Sequence, residues 1–174
     1  MPIIAVLGRM GQGKTLTATY LCYRAYKEGR KVYTNIKFNF PYEKLTKEFF
    51  TDYAHAGKQI NDCIVFIDEA YVYLDSRMSA SKRNKTLSYF LLQTRKKNVT
   101  LLVTSQFLGQ MDVRFRNNID VIVYPKLYKN VKGSGRDVCK YLIQYGDGQE
   151  KKRMFVANAV YGLYNTSEIV AMEE

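Results

Sequence analysis

Hydrophobic positions in this chain gather into short solid runs separated by longer stretches of mixed character. Pro2–Leu7 is continuously apolar and stops at Gly8, the pattern of a strand buried on both faces. Asp62–Ile67 and Val99–Thr104 repeat that pattern, and Lys31–Ile36 is β-branched and aromatic enough for another strand. Thr15–Glu28 predicts a helix closed by Gly29 in the C′ position. Thr86–Arg95 predicts a second, with Leu87, Phe90, Leu91 and the neighbouring Leu92 on one apolar face. Pro41 breaks the chain ahead of a peripheral helix over Tyr42–Tyr53, and Gly57 and Asn61 mark a loop. Asp75–Lys85 is polar and basic without an apolar period, so it reads as an exposed loop. Met111–Asn117 predicts a short helix, and Asp120–Tyr124 a further strand that Pro125 stops.

Strands alternating with helices imply an α/β fold with a mainly parallel central sheet flanked by helices. The last part changes character. Tyr128–Asp137 is a basic, Gly-rich turn, and Val138–Tyr145 and Lys152–Ala157 flank Gly146-Asp147-Gly148 as a hairpin does. The expected organisation is one domain over 1–174, with a core of about 1–125 and a β-rich C-terminal hairpin addition of about 126–174.

Charge alters the picture more than size does. Lys and Arg number 27 against 16 Asp and Glu, a formal charge of +11 on 174 residues. Such an excess favours a polyanionic partner, nucleic acid or an anionic membrane surface. The cysteines are Cys22, Cys63 and Cys139, an odd number with no C-x-x-C, which argues against a disulfide framework or a zinc site and fits a reducing, cytoplasmic setting. His55 is the only histidine, so no histidine-built metal site or catalytic triad is expected. The N-terminus runs straight into the first strand, leaving no room for a signal peptide, and no stretch reaches the roughly 18 apolar residues of a membrane span.

The chemistry is concentrated at strand ends. Gly8-Arg9-Met10-Gly11-Gln12-Gly13-Lys14-Thr15, with Leu16 behind it, is a complete phosphate-binding loop between a buried strand and a helix. Its glycines let backbone N–H groups point inward at phosphate oxygens, and the helix adds its positive N-terminal dipole. Lys14 would reach the β- and γ-phosphates of ATP, and the Thr15 hydroxyl would ligate Mg²⁺. Asp68 and Glu69 end the neighbouring strand, the first placed to hold the Mg²⁺ shell and the second to activate a water. Gln106, at the end of Val99–Thr104, falls where strand C-termini converge and could sense the γ-phosphate or help position the water.

Taken together the chain resembles the FtsK–HerA superfamily of P-loop, RecA/FtsK-like DNA-pumping ATPases. Within it the sequence looks most like viral genome-packaging ATPases and the zonula-occludens-toxin-like ATPases of filamentous phages. Gly8–Thr15, Ile67-Asp68-Glu69-Ala70, Asp75-Ser76-Arg77, Thr94-Arg95-Lys96-Lys97, Thr104-Ser105-Gln106, Asp112-Val113-Arg114-Phe115-Arg116 and Tyr164-Asn165-Thr166 carry the resemblance. It implies a ring, usually a hexamer, with ATP at the subunit interfaces and an arginine finger from the neighbour. Arg95 is the first candidate, with Arg114 and Arg116 as alternates. The filamentous-phage proteins carry a transmembrane helix after the ATPase domain, whereas this chain stops at Glu174 with none. That departure favours a motor in the host cytoplasm, transiently at a virion vertex, that loads double-stranded DNA into a preformed capsid through contact with a capsid or vertex protein.

Such a motor grips phosphates without reading bases. Ser81–Lys85 (with Lys82, Arg83 and Lys85), Lys126–Lys132 and Lys151–Arg153 suit that task, and the first is the expected pore element. Two other functions compete. A membrane-partnered phage assembly or secretion ATPase would need a partner to supply its anchor. A small nucleoside kinase of the thymidine-kinase type shares the loop and the Asp-Glu-Ala strand end, but the cysteine pairs of that family are missing and the charge has no role in it.

Overall fold

The computed structural model describes residues 2–46, 49, 60–70, 97–111 and 113–165, with Arg114 described in its backbone only. The expected helix over Thr86–Arg95, the Asp75–Lys85 loop, His55, Arg95, Lys82, Arg83 and Lys85 lie outside these residues. The strands are β1 (Ile3–Leu7), β2 (Lys31–Thr34), β3 (Glu43–Lys44), β4 (Cys63–Ile67), β5 (Val99–Ser105), β6 (Val121–Tyr128), β7 (Val138–Tyr145) and β8 (Glu150–Val156). Helix α1 spans Lys14–Lys27, α2 Val113–Arg116 and α3 Asn158–Tyr161.

All eight strands form one sheet in the order β3-β2-β4-β5-β1-β6-β7-β8. Pairing is parallel from β3 through β6 and antiparallel from β6 through β8. This is the mainly parallel sheet expected from the apolar runs, with the hairpin added at one end. The strands that read as solid apolar runs are the central ones: β4 and β5 are buried along their whole length.

Side chains alternate between two cores. On one face, Leu16, Ala18, Cys22 and Ala25 of α1 pack with Val6, Phe66, Leu102, Val123, Cys139, Tyr141 and Phe155. On the other, Met111 and Phe115 pack with Ile3, Ala5, Val65, Leu101 and Val103. Helix α1 ends as its sequence predicts. Gly29 has a left-handed φ of 85°, its N–H donates to the Tyr26 carbonyl at 2.9 Å, and Arg30 N–H donates to that of Ala25 at 3.0 Å, a complete glycine-based stop. All three cysteines are free and buried, and burial pushes the Cys63 thiol up to about 11, as for core residues. No helix among the described residues is long and apolar enough to cross a membrane.

Two local expectations are corrected. The segment after Pro41 does not begin as a helix. Glu43–Lys44 pairs in parallel with Tyr33–Thr34, and Leu45 N–H donates to the Thr34 carbonyl at 2.8 Å. Tyr42 joins the core on the α1 face and Leu45 the opposite core, so residues three apart lie on opposite sides of the sheet. A helix would set them on one side. Second, Pro125 does not stop its strand. Strand β1 lies beside β6 only as far as Val123, while β7 pairs with β6 through Tyr128. At Pro125 the strand is therefore an edge on one side, where a missing N–H is tolerated.

Candidate active site

Strand order builds the site. β5 lies between β1 and β4, so its C-terminal end stands between the phosphate-loop strand and the strand that delivers Asp68 and Glu69. Gly8 N–H donates to the Ser105 carbonyl at 3.4 Å, and Ala70 N–H donates to that of Thr104 at 2.9 Å, tying both neighbours to the end of β5.

Gly13 caps α1 in the left-handed region at φ 89°, and a side chain there would meet Leu127 Cβ and Cys139 Sγ at 3.5 Å. The turn needs glycine for its backbone angle, since those contacts alone are ordinary ones. Gln12 Oε1 accepts from Arg9 N–H at 2.9 Å and braces the loop from within, while Arg9 and Met10 are exposed at its tip. Lys14 is buried at the base, and its Nζ donates to the Arg9 carbonyl at 3.4 Å.

Asp68 is the hub. Its Oδ1 accepts from Thr104 Oγ1 at 2.6 Å, and Thr15 Oγ1 stands 3.1 and 3.2 Å from its two oxygens. Its main chain is held by Asn35, whose Oδ1 accepts from Asp68 N–H at 2.8 Å and whose Nδ2 donates to the Asp68 carbonyl at 3.1 Å. Burial pushes the Asp68 carboxyl above its ordinary range, opposed by the hydrogen bonds from Thr104 and Thr15 and by the Lys14 charge. Thr15 and Asp68 thus converge as hard oxygen donors suited to a divalent cation that takes its remaining ligands from phosphate and water.

Glu69 follows with φ at +51°, a strained position for a side chain of its kind. Its N–H donates to Thr104 Oγ1 at 2.8 Å, which holds the backbone there. Its Oε2 is buried with no hydrogen-bond partner among the described residues. Burial, then the Asp68 charge, push its carboxyl up from the ordinary value, and Lys14 pulls it down. A buried oxygen without a partner among the described residues, on a strained residue, marks a candidate functional group.

Gln106 is exposed, one residue past β5. Arg116 is exposed on α2, and Arg114 lies on the same short helix. Sequence reading missed Thr104 and Asn35. The Thr104 hydroxyl touches both acidic residues, donating to Asp68 and accepting from the Glu69 N–H. A polar residue at the end of each strand beside β4 was the available signal. Replacing Thr104 by Val keeps the shape but leaves the Glu69 N–H unsatisfied and removes the shortest hydrogen bond to Asp68. We expect a loss of about 1–3 kcal/mol, read as a fall of several degrees in the thermal midpoint. A midpoint unchanged within a degree would show that water replaces the hydroxyl. Tyr164 forms an isolated antiparallel bridge with Phe38, and its phenol is pushed up to about 12 by burial and then by the Asp68 charge.

Residues 4–127 match the ATPase family associated with various cellular activities (AAA). None of the curated proteins compared matches the sequence. Among solved structures, the N-terminal domain of zonular occludens toxin from Neisseria meningitidis superposes with a TM-score of 0.66 at 20% identity, covering 94% of this chain and 98% of that one. The genome packaging NTPase of Sulfolobus turreted icosahedral virus 2, in complex with sulfate, superposes with a TM-score of 0.62 at 14% identity, covering 87% and 95%. The same NTPase in complex with ATPγS gives 0.61 at 15% identity, covering 87% and 96%. At these identities the likeness is one of fold.

Proposed function

The chain belongs to the ATPase family associated with various cellular activities, and we propose that its hydrolysis of ATP drives the movement of double-stranded DNA. The observation that carries this reading is the formal charge of +11 on an ATPase fold shared with a viral genome packaging NTPase. A nucleotide site by itself needs no such excess, whereas a duplex offers one negative charge per roughly 1.7 Å of its axis. In its full form the proposal is a ring, a hexamer of the 1–174 unit, that loads a genome through a capsid vertex in the host cytoplasm.

The residues divide the chemistry as follows. Backbone N–H groups of Gly8–Thr15 and the start of α1 hold the phosphates. Lys14 exchanges the Arg9 carbonyl for β- and γ-phosphate oxygens. Thr15 and Asp68 would hold Mg²⁺, which would supply charge neutralisation on the phosphates. Among the described residues no group of three or more His, Cys, Asp or Glu could hold a metal ion. Glu69 takes the proton of the attacking water on its unpaired oxygen, and Gln106 positions that water. Arg95, Arg114 or Arg116 of a neighbouring copy stabilises charge on the transferring phosphoryl group.

A second reading rests on the toxin domain, which covers 98% of its length on this chain. It is a phage assembly ATPase that works at a membrane through a partner's anchor. Phosphate release measured with and without duplex DNA, followed by electron microscopy, tests the first reading. DNA is expected to raise turnover, and rings with DNA in the centre are expected in the presence of ATP. Replacing Lys82, Arg83 and Lys85 by Ala should remove the stimulation. Turnover indifferent to DNA, together with flotation on liposomes only when virion proteins are added, would favour the second reading instead.

A further inference from the structure

The sheet face turned away from α1 is open at its hairpin end. Val123, Cys139, Tyr141 and Phe155 point into the core beneath α1, so their strand neighbours point the other way. There, Tyr124, Lys126 and Tyr128 of β6, Lys140 of β7, and Lys152 and Met154 of β8 are all exposed. Lys126 lies directly opposite Lys140, and Lys152 stands opposite Leu142, which itself pairs with Tyr124. The ammonium groups of Lys126 and Lys140 both lie over the Tyr128 ring, at 5.4 and 5.3 Å from its centre.

Like charges set opposite one another oppose strand pairing, so folding alone does not account for this pair. No acidic partner meets either lysine among the described residues. Glu150, the acid on this face, stands in the Gln144 row and accepts from Gln144 Nε2 at 2.6 Å. Protection of a free sheet edge explains the basic run Lys151-Lys152-Arg153, since β8 is the last strand. It does not explain Lys140, whose strand is paired on both sides.

The reverse side of the same strand segment touches the phosphate loop. Leu127 and Cys139, paired with each other next to the Lys126–Lys140 pair, are the residues closest to where a Gly13 side chain would be. One pair of adjacent cross-strand positions therefore faces the nucleotide loop, and the next faces solvent with two positive charges that no acid among the described residues compensates.

We infer that this open face of β6–β8 grips the phosphate backbone of duplex DNA, and that the grip is felt at Gly13 through the thickness of a single sheet. The inference rests on the DNA reading above and adds a holding surface to the Lys82–Lys85 loop assigned there. Charge complementarity selects the occupant. A small anion would satisfy Lys126 and Lys140 but leave Lys152, roughly two strand spacings or about 10 Å from β6, unanswered. A polyanion with closely repeated charges answers all three. The side chains present are cations and rings without base-reading amides at the centre of the patch, which suits contact without sequence preference.

The test is fluorescence anisotropy of a short mixed-sequence duplex, titrated between about 50 and 200 mM salt. It compares the wild type, K126Q/K140Q and the control K27Q/K31Q, which removes two exposed lysines at the far end of α1 and the start of β2. K126Q/K140Q is expected to bind about tenfold or more weakly, with the slope of log affinity against log salt reduced by about 2. Its thermal midpoint should equal or exceed the wild-type value, because a like-charge pair is relieved. The control should keep most of the slope. Equal loss in both variants would overturn the inference, leaving only the general field of the protein. Unchanged binding by K126Q/K140Q would overturn it while the DNA reading stands. A wild type that binds no duplex even at low salt would overturn both. Loss of flotation on phosphatidylserine vesicles, with DNA affinity retained, would overturn it by assigning the face to lipid.

Discussion

Glu69→Gln is expected to lower ATP turnover by about 10²- to 10⁴-fold while ATP binding stays close to the wild-type value. The amide keeps the size of the side chain and the N–H bond to Thr104, so the backbone at φ +51° is undisturbed. What it removes is the ability of the buried, unpaired oxygen to accept a proton from water. The wild-type pH profile gives a second readout. Burial and the Asp68 charge push the Glu69 carboxyl above its ordinary value, so the acid limb of turnover should lie above the usual glutamate range of about 4.3. In the Gln variant the residual rate should lose that limb. A variant that fails to bind ATP, or one that keeps the limb, would show that Glu69 is not the base.

Lys14→Ala should reduce turnover by about 10³-fold or more and weaken ATP binding as well, because it removes a buried cation at the base of the phosphate loop. It has a further signature without nucleotide. Lys14 lowers the pKa values of both Asp68 and Glu69, so its loss raises them further. A carboxyl whose folded-state pKa is raised contributes stability that is complete below its unfolded value and is lost as pH climbs through the folded one. The thermal midpoint of the variant should therefore fall more steeply than that of the wild type as pH rises from the ordinary carboxyl range toward neutrality. Parallel curves would mean that Lys14 does not offset these charges.

The phosphate loop and the Asp68-Glu69 pair could be read from sequence because each is contiguous and sits at the end of a solid apolar run. Thr104 and Asn35 could not, because their role depends on which strands flank β4, and that order is a property of the sheet. The sequence contains the threonine but not its neighbours. Proline at 125 misled for the same reason. Whether a missing N–H stops a strand depends on how far the adjacent strand runs, and β1 ends beside Val123. The helix expected from Tyr42 does not begin there, because a two-residue pairing onto β2 outweighs local propensity. The α1 boundaries were legible because their determinants, Gly13 and Gly29, act within a turn of where they stand.

The place of β1 in the sheet also sets a timetable for the chain as it is made. Its partners are β5 and β6, and Ile3 N–H donates to Asp120 Oδ2 across a separation of 117 residues. At the usual pace of translation that interval lasts on the order of ten seconds. For most of it the apolar first strand has left the ribosome with neither neighbour made, and the loop that follows it has no floor on which to close around a nucleotide. The segment made first is thus completed late, and ATP cannot assist folding until most of the protein exists. Nascent chains halted before β5 should accordingly engage chaperones through Ile3–Leu7, and those released beyond β6 should not.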